Sequence, residues 1–200
     1  MLGPAMVRHH WRAIPRRWSE GKDEDLRSHA GDAVSNVDVS SLGPDEVQTF
    51  VGLYQFYRYD FSEFNDEDVT DDGYFIDDRA ETYPTDPRFQ TFLIRVDGHV
   101  AGFAILQHCD AVDGTGEVTD MEQFFVMRKY RRRGIGRVAA MTLFDRHPGR
   151  WQVRERHNNL PAQAFWRAII ERSTGGRFNE LAAEQSPTGG PVQFFMSGGT

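Results

Sequence analysis

Apolar and polar positions alternate along this chain with two different periods, and the changes of period mark its elements. Val37 to Ser40 reads as a short first strand. Leu42-Gly43-Pro44-Asp45 then opens a helix, with Ser41 or Gly43 at the cap. Val47, Phe50, Val51 and Tyr54 follow at three- and four-residue spacings, which is one apolar helical face. From Asp60 to Pro87 carboxylates crowd out the pattern, and the expectation is a loop carrying at most a short helix. Thr91 to Val96 and Val100 to Leu106 are rich in strand formers, and Asp97-Gly98 between them predicts a tight hairpin.

The second half repeats this alternation. Asp110 to Gly116 is a polar turn and Val118 to Val126 a strand. Gly134 to Arg146 carries Ile135, Val138, Ala139 and Leu143 on one helical face and stops at Pro148-Gly149. Trp151 to Arg154 is a short strand, and Pro161 to Arg172 a helix with proline in its first turn. Arg177 to Leu181 and Val192 to Met196 form a closing hairpin. This order predicts an α/β domain of mixed (α+β) character, a central mixed sheet of six to seven strands flanked by helices. Residues 34–200 are expected to form that single domain, and residues 1–33 a basic, disordered extension. Arg16-Arg17 suggests an export signal, but the charged WSEGKDEDLR that follows excludes the apolar core such a signal needs.

Composition narrows the function. Two hundred residues with 39% apolar content suit one globular domain. No apolar run is long enough to span a bilayer. A single cysteine, Cys109, excludes an internal disulfide and a cysteine-based zinc site, and fits a cytoplasmic setting. The histidines have no ligand spacing, so no metal is expected. A formal charge of −7 argues against a nucleic-acid partner. The charge is uneven: nine acids and no base lie between Asp60 and Asp78, and six bases between Arg128 and Arg137.

The basic stretch holds the chemistry. The strand ending at Phe124-Phe125-Val126 runs into Arg131-x-x-Gly134-x-Gly136, which opens a helix. Unpaired amides and the dipole at a helix start favour a phosphate, and glycines let the backbone approach it. A second block, Asn159-x-x-Ala162-x-x-Phe165-Trp166, lies 28 residues after Arg131. Together these resemble the acyl-CoA loop and the later N-x-x-A-x-x-aromatic-aromatic segment of the GNAT superfamily of N-acetyltransferases, over about residues 37–196.

The resemblance implies a fold in which the fourth and fifth strands splay around the pantetheine arm. It implies that amides from Arg131 through Arg132, Arg133, Gly134, Ile135 and Gly136 to Arg137 hold the pyrophosphate of acetyl-CoA. Arg132 stands where a glycine is common, so that position is expected not to need positive φ. Arg128, Lys129, Arg133 and Arg137 are candidates for the 3′-phosphate. Phe124, Phe125 and Val126 would line the arm, an amide near Val126 would polarise the thioester, and Asn159 would bond the arm. Trp166 stands where many members have a tyrosine that protonates the leaving thiolate, so another group or solvent must do so, or the chain binds acyl-CoA without turnover.

An amine acceptor must lose a proton before attack. On a regular strand Asp120, Glu122, Phe124 and Val126 share one face, which makes Glu122 the first candidate base and Asp120 the second. The acidic aromatic stretch suggests a cationic acceptor, a small molecule or a lysine-like side chain. The expected reaction is acetyl transfer to that primary amine by direct attack in a ternary complex. The alternative is a noncatalytic acyl-CoA sensor, and a homodimer is left open.

Overall fold

The computed structural model describes residues 36–198. The expectation for residues 1–33 lies outside them. In chain order the elements are β1 (Val37–Ser41), α1 (Val47–Asn65), α2 (Arg79–Thr82), β2 (Phe89–Val96), β3 (His99–Asp110), β4 (Glu117–Val126), α3 (Ile135–Arg146), β5 (Gly149–Arg154), α4 (Leu160–Thr174), β6 (Phe178–Leu181) and β7 (Val192–Ser197).

The seven strands make one mixed sheet in the order β1-β2-β3-β4-β5-β7-β6. Every neighbouring pair is antiparallel except β4 and β5. Asp97 and Gly98 turn β2 into β3 with φ of 51° and 78°, the positive values that a two-residue hairpin requires. The long β3–β4 ladder carries a β-bulge. Ile105 faces Gln123 and Leu106 faces Met121, which leaves Glu122 as the extra residue of β4.

Helices cover both faces. Ile135, Ala139 and Leu143 of α3 and Trp166 and Ile169 of α4 pack on Ile94, Ala104, Leu106, Trp151 and Val153. On the other face Phe50, Leu53, Tyr54 and Tyr57 of α1 meet Leu93, Phe103, Ile105 and Phe125, with Ala80 and Tyr83 from α2 and its end.

The expected loop from Asp60 is corrected at its start, because α1 continues to Asn65. Phe61 and Phe64 prolong the buried stripe beyond Tyr57, with ring centroids 4.4 Å apart for Tyr57–Phe61 and 5.9 Å for Phe61–Phe64. Those aromatic contacts outweigh the interspersed acids. The helix ends where Asp66 turns left-handed (φ 55°) and its amide donates back to Ser62 O.

Candidate active site

β4 and β5 pair at only two positions, Thr119 with Trp151 and Asp120 with Gln152. Beyond these the strands part, and a cleft of about 1030 Å³ opens between them. Its walls are β4 from Met121 to Val126, the loop before α3, the β5–α4 connection, the start of α4, and α1 from Tyr57 to Asn65.

At one end lies the glycine-rich loop. Gly134 caps α3 in the left-handed region (φ 78°). The first amide of α3 to find a carbonyl is Val138 N, bonded to Gly134 O at 3.0 Å. Ile135, Gly136 and Arg137 precede it in the first turn, where amides have no carbonyl behind them. A Cβ on Gly136 would come within 3.1 Å of the Phe165 ring, so this glycine lets α3 and α4 approach. Unpaired amides, a cap without a side chain and the cleft-lining cations Arg132 and Arg137 fit a pyrophosphate.

One expectation about this loop changes. Arg132 does adopt positive φ, 60°, because the backbone turning from β4 into α3 demands a left-handed residue there whatever its side chain. Arg131 turns its guanidinium back: Nε donates to Val126 O at 2.6 Å, and Nη2 pairs with Asp60 of α1. Arg128 pairs with the same Asp60 at 3.0 Å. Lys129 lies over the Tyr130 ring.

The opposite wall is aromatic. Trp166 is buried against Phe124 and Phe165, with centroids 5.1 and 5.0 Å away. Asn159 is buried too and caps α4, its Oδ1 accepting from Ala162 N at 3.2 Å. Both also line the cleft.

The carboxylates separate. The bulge gives Glu122 and Gln123 neighbouring side chains on the α1 side: Tyr83 Oη donates to Glu122 Oε1 at 2.9 Å, and Gln123 Nε2 donates to Tyr83 Oη at 3.3 Å. Glu122 lines the cleft; Asp120 does not and is fully buried. The expectation that Asp120 shares a face with Phe124 and Val126 is therefore corrected. Met121, not Asp120, joins the α3–α4 core that Val126 occupies, because the extra residue shifts the alternation by one. Burial pushes the Asp120 carboxyl up from its ordinary range, against the pull of Arg154. Arg154 spans the parted strands, donating to Asp120 from Nε at 2.8 Å and to Glu122 from Nη2 at 2.5 Å.

Sequence reasoning passed over Glu155. It lines the cleft, is 7% exposed, and neither of its carboxyl oxygens has a hydrogen-bond partner. Burial raises its pKa to about 8. Its signal was a carboxylate continuing the inward positions Trp151 and Val153. The acidic stretch contributes less than its density suggests. Of its nine acids only Asp60 and Glu63 line the cleft. Arg58 takes Glu67 and Asp77, and Arg79 also takes Asp77. Among the described residues no cluster of His, Cys, Asp or Glu could hold a metal, and no helix is long and apolar enough to cross a membrane.

A mixed sheet thus parts between its two parallel strands, with a glycine-capped helix at one end of the gap and a carboxylate facing into it. The sequence profile of the acetyltransferase (GNAT) family matches residues 47–169, and the chain belongs to that family. Solved structures share the fold at low identity. An acetyltransferase of Thermus thermophilus is 17% identical over 80% of this chain and 94% of its own, with a TM-score of 0.56. The ribosomal-protein-S18-alanine N-acetyltransferase of Escherichia coli is 17% identical over 82% and 96%, with a TM-score of 0.51. The PaiA N-acetyltransferase of Thermoplasma acidophilum, solved with coenzyme A, is 8% identical over 80% and 99%, with a TM-score of 0.52. Among curated proteins none matches the chain by sequence.

Proposed function

We propose that this acetyltransferase moves the acetyl group of acetyl-CoA to a primary amine by direct attack in a ternary complex, with Glu122 as the base. The observation that carries the reading is Glu122 at the bulge, facing the cleft where β4 and β5 part. The amides of Arg131 to Arg137 would hold the pyrophosphate, and β4 from Phe124 to Val126, Asn159 and Trp166 the arm. The coenzyme supplies the activated acyl group. Glu122 takes the proton that the ammonium loses before attack; the freed nitrogen then bonds to the acyl carbon, the carbon–sulfur bond breaks, and coenzyme A leaves as a thiolate that takes up the second nitrogen proton or one from solvent. Asp120, fully buried and off the cleft, holds Arg154 rather than meeting substrate.

For the acceptor we infer a cationic small molecule or a lysine-like side chain. Glu63 lines the cleft, and Asp66, Asp68, Asp71 and Asp72 follow on the same connection, enough negative charge to draw a cation toward the opening.

The first test is thermal stability with acetyl-CoA, against ATP and NAD, for wild type and Gly134→Trp. Ligand at a hundred times its dissociation constant adds about 2.7 kcal/mol. A rise with acetyl-CoA alone, absent in the variant, is expected; no rise in a folded protein removes the coenzyme site. Amines are then compared, spermidine and kanamycin against neutral and anionic amines. Preference for the anionic ones would overturn the cationic acceptor.

A further inference from the structure

Glu122 is the extra residue of a bulge, so the strand ladder does not fix its side chain; other groups must. Three residues from three segments meet it in a row. Tyr57 of α1 donates from Oη to Gln123 Oε1. Gln123 Nε2 donates to Tyr83 Oη at 3.3 Å, and Tyr83 Oη donates to Glu122 Oε1 at 2.9 Å. The row has one workable sense. With its oxygen taken by the Tyr57 hydroxyl, the Gln123 amide turns its nitrogen to Tyr83, which leaves the single Tyr83 proton for the carboxylate. The flipped amide would claim that proton for itself and aim an oxygen lone pair at Glu122.

The row is anchored where it must be rigid. Tyr83 is 2% exposed, its ring stands edge-on to Phe89 at 4.8 Å, and its carbonyl accepts from Thr91 Oγ1 at 3.3 Å. The other carboxylate oxygen, Oε2, is held by Arg154, whose side chain is 31% exposed. Glu122 Oε1 thus has two donors behind it, Tyr83 Oη at 2.9 Å and Gln123 Nε2 at 3.4 Å, and Oε2 has Arg154 in front. A base must keep its aim while freeing one oxygen for the incoming proton, and the two donors on Oε1 would keep that aim with Arg154 drawn back onto Asp120.

We propose that Tyr57, Gln123 and Tyr83 form a directed hydrogen-bond chain that aims Glu122 into the cleft, with Tyr83 the positioning residue and Oε2 the oxygen that takes the amine's proton. The proposal rests on Glu122 being the base. Bonds in such a chain polarise one another, so losses fade with distance from the carboxylate.

The experiment measures release of the coenzyme A thiol from acetyl-CoA, with spermidine and with water alone as acceptor. Tyr83→Phe is expected to lower kcat about tenfold and leave KM for acetyl-CoA within about twofold, because a hydrogen bond to a charged group is lost away from the coenzyme. Tyr57→Phe loses less, about threefold. Glu122→Gln loses more than either, and adding Tyr83→Phe to it costs nothing further. Where Tyr83→Phe does not fold, Gln123→Met breaks the chain with the tyrosine in place and lowers kcat in the same way. Full turnover in Glu122→Gln sinks the base reading itself. A large loss in Glu122→Gln with none in Tyr83→Phe, or an equal Tyr83→Phe loss in both backgrounds, overturns the chain and leaves the base standing.

Discussion

Arg132 and Glu155 each hold a conformation or an environment that their chemistry disfavours. A non-glycine residue at φ 60° carries strain of about 1–2 kcal/mol, part of which glycine returns as chain entropy in the unfolded state. Arg132→Gly is therefore expected to stabilise the fold by about 0.5–1 kcal/mol, read from chemical denaturation. Glu155 shows its cost against pH. Its carboxyl titrates near 8 when folded and from an ordinary 4.5 otherwise. The folded state thus binds the extra proton between these values, and stability falls as pH rises through that window. Glu155→Gln should match wild type near pH 5 and exceed it at pH 7 by about 2–3 kcal/mol, seen as a melting point several degrees higher. An equal gain at both pH values would mean that ionisation is not the cause. The site's residues were unevenly legible in sequence. Gly134 announces itself because few other residues suit its left-handed turn, and Gly136 because α4 packs too close to it for a side chain. Tyr57 and Tyr83 do not, because nothing local marks a hydroxyl that will meet a strand tens of residues away.

At the scale of elements, strands and helices followed from period, and the misses share one cause. The second half of α1 hides its stripe among acids, and the bulge in β4 leaves no mark in a sequence that alternates plausibly on both sides of it. Long-range packing decided both: Phe61 and Phe64 against Tyr57 in the first case, the β3 register in the second. The same α1 segment presents Asp60 to Arg128 and Arg131 at the edge of the glycine-rich loop proposed to hold the pyrophosphate. A carboxylate there would compete with that phosphate for the two cations. Asp60→Asn is expected to tighten coenzyme A binding by less than about fivefold, since partly exposed ion pairs are worth at most ~1 kcal/mol, and added salt should erase the difference. Weaker binding would show instead that Asp60 holds the loop in shape. Gly136→Ala tests the other side of the cleft. With only 3.1 Å to the Phe165 ring, the added methyl must displace α4 or the ring, and coenzyme binding should fall about tenfold with little loss of fold.

Over the whole molecule, a net charge of −7 coexists with a cleft lined by eight arginines, among them Arg132, Arg137, Arg154 and Arg156. Association with coenzyme A should accordingly slow as ionic strength rises, although the protein and its ligand are both anionic overall. The parting of β4 from β5 has a mechanical consequence. With two residue pairs joining them, β1–β4 and β5–β7 are two plates stitched along a short seam. The edges facing the opening are strand edges inside a sheet, the kind of edge to which an extended chain can add by backbone hydrogen bonds. A ligand arm lying there would complete the weave and couple the plates. Amide exchange gives the readout: slower on acetyl-CoA binding at Val153 and Arg154 and along β4 beyond Met121, unchanged in β2. The enzyme would then be stiffest when loaded and loosest after its product leaves.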